Sequence, residues 1–282
     1  MGMIMFAAAL SGATTGGEDD LRKAVMLYAS FDDAVQADFA RGKSDIGTRS
    51  GTPKGGQFTF AQGYSKDIFR IAKGKGIAGG CLEVTDILPD SGRIFFPMKD
   101  NIAFKKGGWG GAVSCWINTD PNTMFKGPFC DPVQITHRGA NNGGIWFDFN
   151  NAKPKRDLRM GMFPAVPKGE KGASEDDKDA PMVRVPAIDF KKGDWHHVVL
   201  SWQNFDTGKP NALATLYIDG KKIGEVKDRP IAMDWDLENG GIYVAVNFIG
   251  LLDEFAVFNR PLTTDEVTLL HKEPGVLSKL KR

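Results

Sequence analysis

Charge of either sign is not in surplus in this 282-residue chain: 36 Lys and Arg stand against 35 Asp and Glu, a formal net charge of +1. Electrostatic capture of nucleic acid or of an anionic membrane needs a basic footprint, and the sequence carries none. No apolar run reaches the ~18 residues of a membrane span. Cysteine is scarce, and Cys81, Cys115 and Cys130 contain no CxxC spacing, which excludes a zinc ribbon or a dithiol redox motif. Two arrangements stay open: one disulfide with a free thiol, Cys115 to Cys130 stapling the loop between them, or three buried thiols. Phosphate-cradling glycine loops, dinucleotide fingerprints and a G-x-S-x-G elbow are all missing, and no Ser-His-Asp triad can be assembled. Histidine offers little either. His196 and His197 are strand neighbours pointing to opposite faces, so they cannot chelate one ion and are read as structural, and His137 and His271 have no companions.

What is present suits a turn-rich β protein: 34 Gly, 15 Pro and 19 Phe against 4 Tyr. A chain of this length can bury roughly three quarters of its unfolded surface, as one large β domain or two small ones. Residues 1–22 read as a leader. Their apolar run from Met3 to Leu10, with small residues to Ala13, is similar to the core and cleavage site of a secretory signal without its basic start; a frayed leader is the other reading. The body is expected over residues 23–272, and residues 273–282 read as a basic tail.

Alternating apolar runs predict strands at Ala24 to Phe31, Gln57 to Ala61, 110–118, 193–204, Ile242 to Phe248 and Leu251 to Phe258. Two further strands, PVQITHRG and GGIWFDFN, form a hairpin around Ala140-Asn141-Asn142. In the last run, alternation puts Leu251, Asp253, Phe255 and Val257 on one face and Leu252, Glu254, Ala256 and Phe258 on the other. Asp253 on an apolar face calls for a partner: a structural calcium ion with Asp32 or Asp38 and backbone carbonyls as its other ligands, or else backbone N–H groups. Downstream, Thr263 with Glu266 is a capping box and Leu262 with Val267 its staple, so a short helix starts at Thr264. The proline-punctuated acidic run 164–186, with Glu175, Asp176, Asp177 and Asp179, reads as a long solvated loop.

Four segments in order carry a family resemblance. The closing one matches at Leu252, Asp253, Glu254, Phe255, Asn259, Arg260, Leu262, Asp265 and Glu266, departing at Ala256 and Pro261. The strand ending at Asp32-Asp33 with a later Asp38, the GGAVSCWIN run, and GDWHHVVLSWQN leading to the Y-I-D-G turn supply the rest. Together they resemble the laminin-G-like, concanavalin A-like jelly-roll family. The resemblance implies an all-β, two-sheet antiparallel sandwich with a short C-terminal helix, and matches Asp38 to the further Asp of the loop after the first strand. Members of such a family bind sugars, bind proteins or act as scaffolds, and some are enzymes.

The resulting expectation is a non-catalytic, monomeric recognition module, secreted, periplasmic or on the cell surface, that binds carbohydrate; a protein-binding or scaffolding domain, or a glycoside hydrolase or polysaccharide lyase, are the alternatives. For the sugar site, one face of the GGIWFDFN strand combines an aromatic plane with two short polar groups: Trp146, Asp148 and Asn150. Trp109 and Trp235 are secondary candidates at the rim, while Trp116 and Trp202 are assigned to packing. The acids Asp234, Asp236 and Glu238 are the nearest approach to a glucanase strand motif. Asp stands where that motif has its first Glu, and a rim connection is expected where it has a strand.

Overall fold

Helix α1 (Thr15–Ala24) runs straight into β1 (Val25–Ala29), whose five residues are all buried, as befits a strand covered on both faces. The chain is seen as a computed structural model describing residues 15–50 and 59–281. After β1 come β2 (Phe39–Ala40), β3 (Gly47–Ser50), β4 (Thr59–Gln62), β5 (Phe69–Ile71), β6 (Leu82–Val84) and β7 (Arg93–Pro97). The central strands follow as β8 (Trp109–Asn118), β9 (Cys130–Thr136), β10 (Gly144–Phe149), β11 (Leu158–Phe163) and β12 (Met182–Val185). The last third holds β13 (His196–Phe205), β14 (Ala212–Ile218), β15 (Lys221–Arg229), β16 (Gly241–Val246), β17 (Gly250–Phe258), helix α2 (Thr264–Lys272) and a 3₁₀ turn at Ser278–Leu280.

Among the described residues strands occupy 39% and helices 8%, in two antiparallel sheets, the expected jelly-roll sandwich. One sheet runs β15-β14-β13-β8-β17-β1-β2, with β6 also on β17 and β5 on β6; the other runs β12-β11-β10-β9-β16-β7-β3-β4. The first and last long strands pair, Leu27 opposite Val257 and Ala29 opposite Phe255, so distant parts of the chain close one sheet. Between the sheets lies a continuous core that includes Phe96, Val113, Ile117, Ile135, Phe147 and Leu200. Each such side chain contributes about 1.5–3 kcal/mol of burial free energy. A second apolar cluster forms on the outer face of the first sheet, where Leu21 of α1, Val267 and Leu270 of α2, and Leu277 cover Tyr28, Ala112 and Val199.

Several expectations change. The stretch read as a leader to residue 22 is helical from Thr15 and buries Leu21; its run from Met3 to Ala13 lies outside the described residues. Residues 273–281, from the segment read as a basic tail, dock on the outer layer. Leu277 is buried, Arg22 donates to the Val276 carbonyl, and Lys281 pairs with Asp32. The predicted strand at Gln57 to Ala61 appears at Thr59–Gln62, and Gln57 and Phe58 lie outside the described residues. The acidic run is no plain solvated loop, because it contributes β12 and folds Glu175 back onto Arg159. The cysteines are three buried free thiols, and burial pushes Cys81 and Cys130 up to about 12 and Cys115 up as well.

In β17 the simple alternation fails. The register against β8 shifts between Asp253 and Ala256, a bulge with Glu254 at φ 49°. The extra residue lets Leu252, Phe255 and Val257 all reach the inter-sheet core while Ala256 and Phe258 face the helices. The capping box forms as expected: the Thr263 side chain accepts from the Glu266 amide, and the Glu266 carboxylate accepts from the Thr263 amide.

Candidate functional site

The outer face of the second sheet carries the polar side chains that alternate with the core residues of β9, β10 and β11. On β10, Ile145, Phe147 and Phe149 enter the core, and Trp146 and Asp148 point outward, as expected. The structure does not leave them open. Trp146 is only 1% exposed: its indole stacks on Phe163, lies under the Arg159 guanidinium, and donates its N–H to the Ala140 carbonyl at 3.0 Å. Gly161 sits directly opposite and has no side chain where the indole lies. Asp148 is buried opposite Arg159, whose Nε donates to it at 2.9 Å, while Arg159 Nη1 reaches Glu175 at 2.6 Å. Asn150 is buried too, accepting from the amides of Ala152 and Asp157.

Burial lifts Asp148 to about 6 even against the two bonds from Arg159; Arg159, drawn down by burial but held by Asp148 and Glu175, ends above its ordinary value. At neutral pH the pair is therefore ionised on both sides. Asp131 of β9, buried beside Asp148, is pushed well above the usual carboxylate range by burial and by its neighbour's charge.

Trp109 and Trp235 are packed against each other, 5.2 Å between ring centroids, with indole N–H groups donating to Asp206 and to the Gly143 carbonyl. Neither presents an open plane, because the connection expected at the rim folds over the end of the sandwich and buries both. Trp116 and Trp202 are packing residues, Trp116 stacking with His197 and His271. His197 shares a 2.8 Å hydrogen bond with Ser114, both sealed beneath α2, and His196 pairs with Asp219. The acids of the glucanase-like string scatter: Asp234 pairs with Lys106 and Arg138, Asp236 caps its own turn, and Glu238 pairs with Lys99.

The three acids expected to hold calcium each accept hydrogen bonds from protein donors. Asp253 accepts from the amides of Ile77, Ala78 and Glu254, Asp32 from the Gly80 amide and Lys281, and Asp38 from the Ser30 amide. Backbone N–H groups thus satisfy the Asp253 carboxylate, the second of the two partnerships considered for it. Among the described residues no group of three or more His, Cys, Asp and Glu is arranged to hold a metal.

What remains open on this face is a cleft of about 410 Å³ lined by Phe129, Asn141, Asn150, Asn151, Arg159, Ser174, Glu175, Asp176 and Arg184. It takes in Asn150 from the end of the predicted strip, while Trp146 and Asp148 lie outside its lining. Phe129 is 44% exposed, and the Arg159 guanidinium lies 5.4 Å from its ring centre. Buried Arg156 fixes the neighbouring segments by donating to the carbonyls of Gly127 and Asn150. Glu175 closes one wall through Arg159 and through Asn141, whose amide donates to it at 2.9 Å. The sequence reading missed Phe129, Arg159, Glu175 and Arg184. Arg159 left a trace as the basic residue opposite Asp148 on the next strand, and Glu175 as a member of the acidic run read as a solvated loop.

The family model described as the concanavalin A-like lectin/glucanases superfamily matches residues 99–268. A comparison with curated proteins finds no match. Among solved structures, domain 4 of AbnA, a GH43 extracellular arabinanase from Geobacillus stearothermophilus in complex with arabinotriose, is similar at TM-score 0.52 and 14% identity, over 92% of this chain and 98% of that one. The receptor binding domain of botulinum neurotoxin C/D mosaic serotype aligns at TM-score 0.54 and 12% identity, over 89% of this chain and 51% of its own. The binding domain of botulinum neurotoxin DC, in complex with rat synaptotagmin II, aligns at 0.53 and 11%, over 89% and 52%. At these identities the likeness is one of fold.

Proposed function

The chain belongs to the concanavalin A-like lectin/glucanase superfamily, and from that membership we propose that it is a non-catalytic module binding carbohydrate in the cleft beside Phe129. The observation that carries this reading is the exposed Phe129 ring at the lip of a pocket otherwise lined by amides, a hydroxyl and charged groups. A sugar ring has an apolar C–H face and a hydroxyl edge, and this pairing of a flat apolar surface with short polar groups meets both. The arabinanase domain that shares the fold was seen with arabinotriose, which supports the same ligand class here. Its extracellular setting likewise supports a role outside the cytoplasm.

Non-catalysis rests on how the acids are used. Glycoside hydrolysis needs two carboxyl groups flanking the scissile bond, one to give a proton and one to attack or activate water. Of the acids at the cleft, Glu175 is tied to Arg159 and Asn141 and Asp148 lies beneath Arg159, which leaves the exposed Asp176 without a second free carboxyl to work with. Titration of the protein with arabinotriose and with soluble polysaccharides, monitored by calorimetry, tests the reading. Phe129→Ala is expected to weaken binding by about 1–2 kcal/mol while leaving the melting temperature unchanged, since the ring is half in solvent. Equal affinity in the variant would move the site elsewhere. Failure of the wild-type protein to bind any glycan would leave a protein-binding surface as the better account.

A further inference from the structure

Resting on that reading, we propose that the cleft is selective for neutral glycans, with Glu175 as the residue that sets the selectivity against acidic sugars. The argument is one of local charge. Two guanidiniums, Arg159 and Arg184, reach the cleft, and both are already committed: Arg159 to Asp148 and Glu175, Arg184 to Asp157 at 3.3 Å. Asp176 adds an exposed carboxylate to the lining. Four carboxylates, Asp148, Asp157, Glu175 and Asp176, therefore stand against Arg159, Arg184 and the neighbouring Arg156, and the excess is negative. A uronate or sulfate entering here would find both guanidiniums already paired with carboxylates and would approach Glu175 and Asp176. A like charge a few ångströms away in a half-buried setting weakens binding by at least about tenfold. A neutral sugar suffers none of this and still meets Phe129, Asn141, Asn151 and Ser174.

Glu175 is the decisive wall because it does two jobs at once. It neutralises Arg159 from the solvent side and holds residues 174–176 against the hairpin through Asn141. A glutamine at this position retains an oxygen for the Asn141 amide but no longer offsets Arg159. The cleft then gains a guanidinium with spare charge, the group best suited to a carboxylate.

The experiment compares two neutral probes, arabinotriose and a mixed-linkage glucan, with two acidic ones, polygalacturonate and alginate, at about 0.05 M and about 0.5 M salt, the higher of which screens long-range electrostatics. The wild-type protein is expected to bind a neutral probe with an affinity constant within about twofold between the two salts, and the acidic probes at least about tenfold more weakly. Glu175→Gln is expected to raise acidic binding severalfold and to make it salt-sensitive. Asp176→Asn, exposed and without a role in folding, should shift binding in the same direction, so the test survives if the first variant folds poorly. A wild-type preference for polygalacturonate or alginate, or discrimination unchanged in both variants, would overturn the selectivity while leaving carbohydrate binding in place. Absence of binding to all four probes would overturn both.

Discussion

Glu254 occupies the bulge of β17 in a left-handed backbone conformation, with the Tyr28 hydroxyl donating to its carboxylate at 2.9 Å. Burial lifts Glu254 to about 7 and its neighbour Asp253 to about 8, each further raised by the adjacent acids. In the unfolded chain these groups titrate near 4.5 and 3.8. Between those values and the folded ones, the native state keeps protons that the unfolded state has lost, so this contribution to stability falls as pH rises. His197 acts in the other direction. Burial, and then the nearby His271, depress it from 6.5 to about 3, so its contribution is lost as pH falls below 6.5. Above pH 6.5 only the carboxyl effect remains. The melting temperature should therefore drop between pH 6.5 and 8.5, equivalent to about 2 kcal/mol or more. Glu254→Gln, which can still accept from Tyr28, should show a shallower drop. A flat or rising profile in the wild-type protein would refute the linkage.

At the scale of the element, the β10–β11 hairpin shows how a promising strand face becomes part of the interior. Trp146 fits only because Gly161 lies opposite it, and a Cβ at that position would overlap the indole. Gly161→Ala is expected to cost about 1–3 kcal/mol by overpacking, and Trp146→Ala about 3–5 kcal/mol by leaving a cavity. Because the two changes act on the same space, the double variant should be less destabilised than their sum. Denaturant titration of the three proteins measures this directly. Unchanged stability in Trp146→Ala would mean that the indole is not packed as described and would reopen it as a contact for ligand.

Across the whole molecule, the pairing of β1 with β17 and the docking of α1 and residues 273–280 bring both ends of the described chain onto the first sheet. One core cluster draws on both sheets, and the outer cluster shares β1, β8, β13 and β17 with it. Unfolding is accordingly expected to be one cooperative event, with tryptophan fluorescence and far-ultraviolet circular dichroism tracing coincident thermal transitions. A separate early transition in the helical signal would show that the outer layer melts on its own.

The sequence by itself determined the sandwich and its closing helix. Strand alternation, the Asp219-Gly220 turn, the capping box at Thr263 and the motif order are local signals, and local hydrogen bonding with side-chain periodicity is enough to express them. The cover on each face was decided only by tertiary structure. Which of two faces of β10 meets solvent depends on Phe163, Arg159 and a segment almost thirty residues away that brings Glu175 over it, and no periodicity encodes that distance. The bulge at Glu254 is a case of the same kind, since one extra residue exchanged the faces of Leu252 and Asp253 without a trace in the apolar pattern. Phe129, outside any alternating motif, became the exposed ring because the fold buried the other aromatic candidates around it.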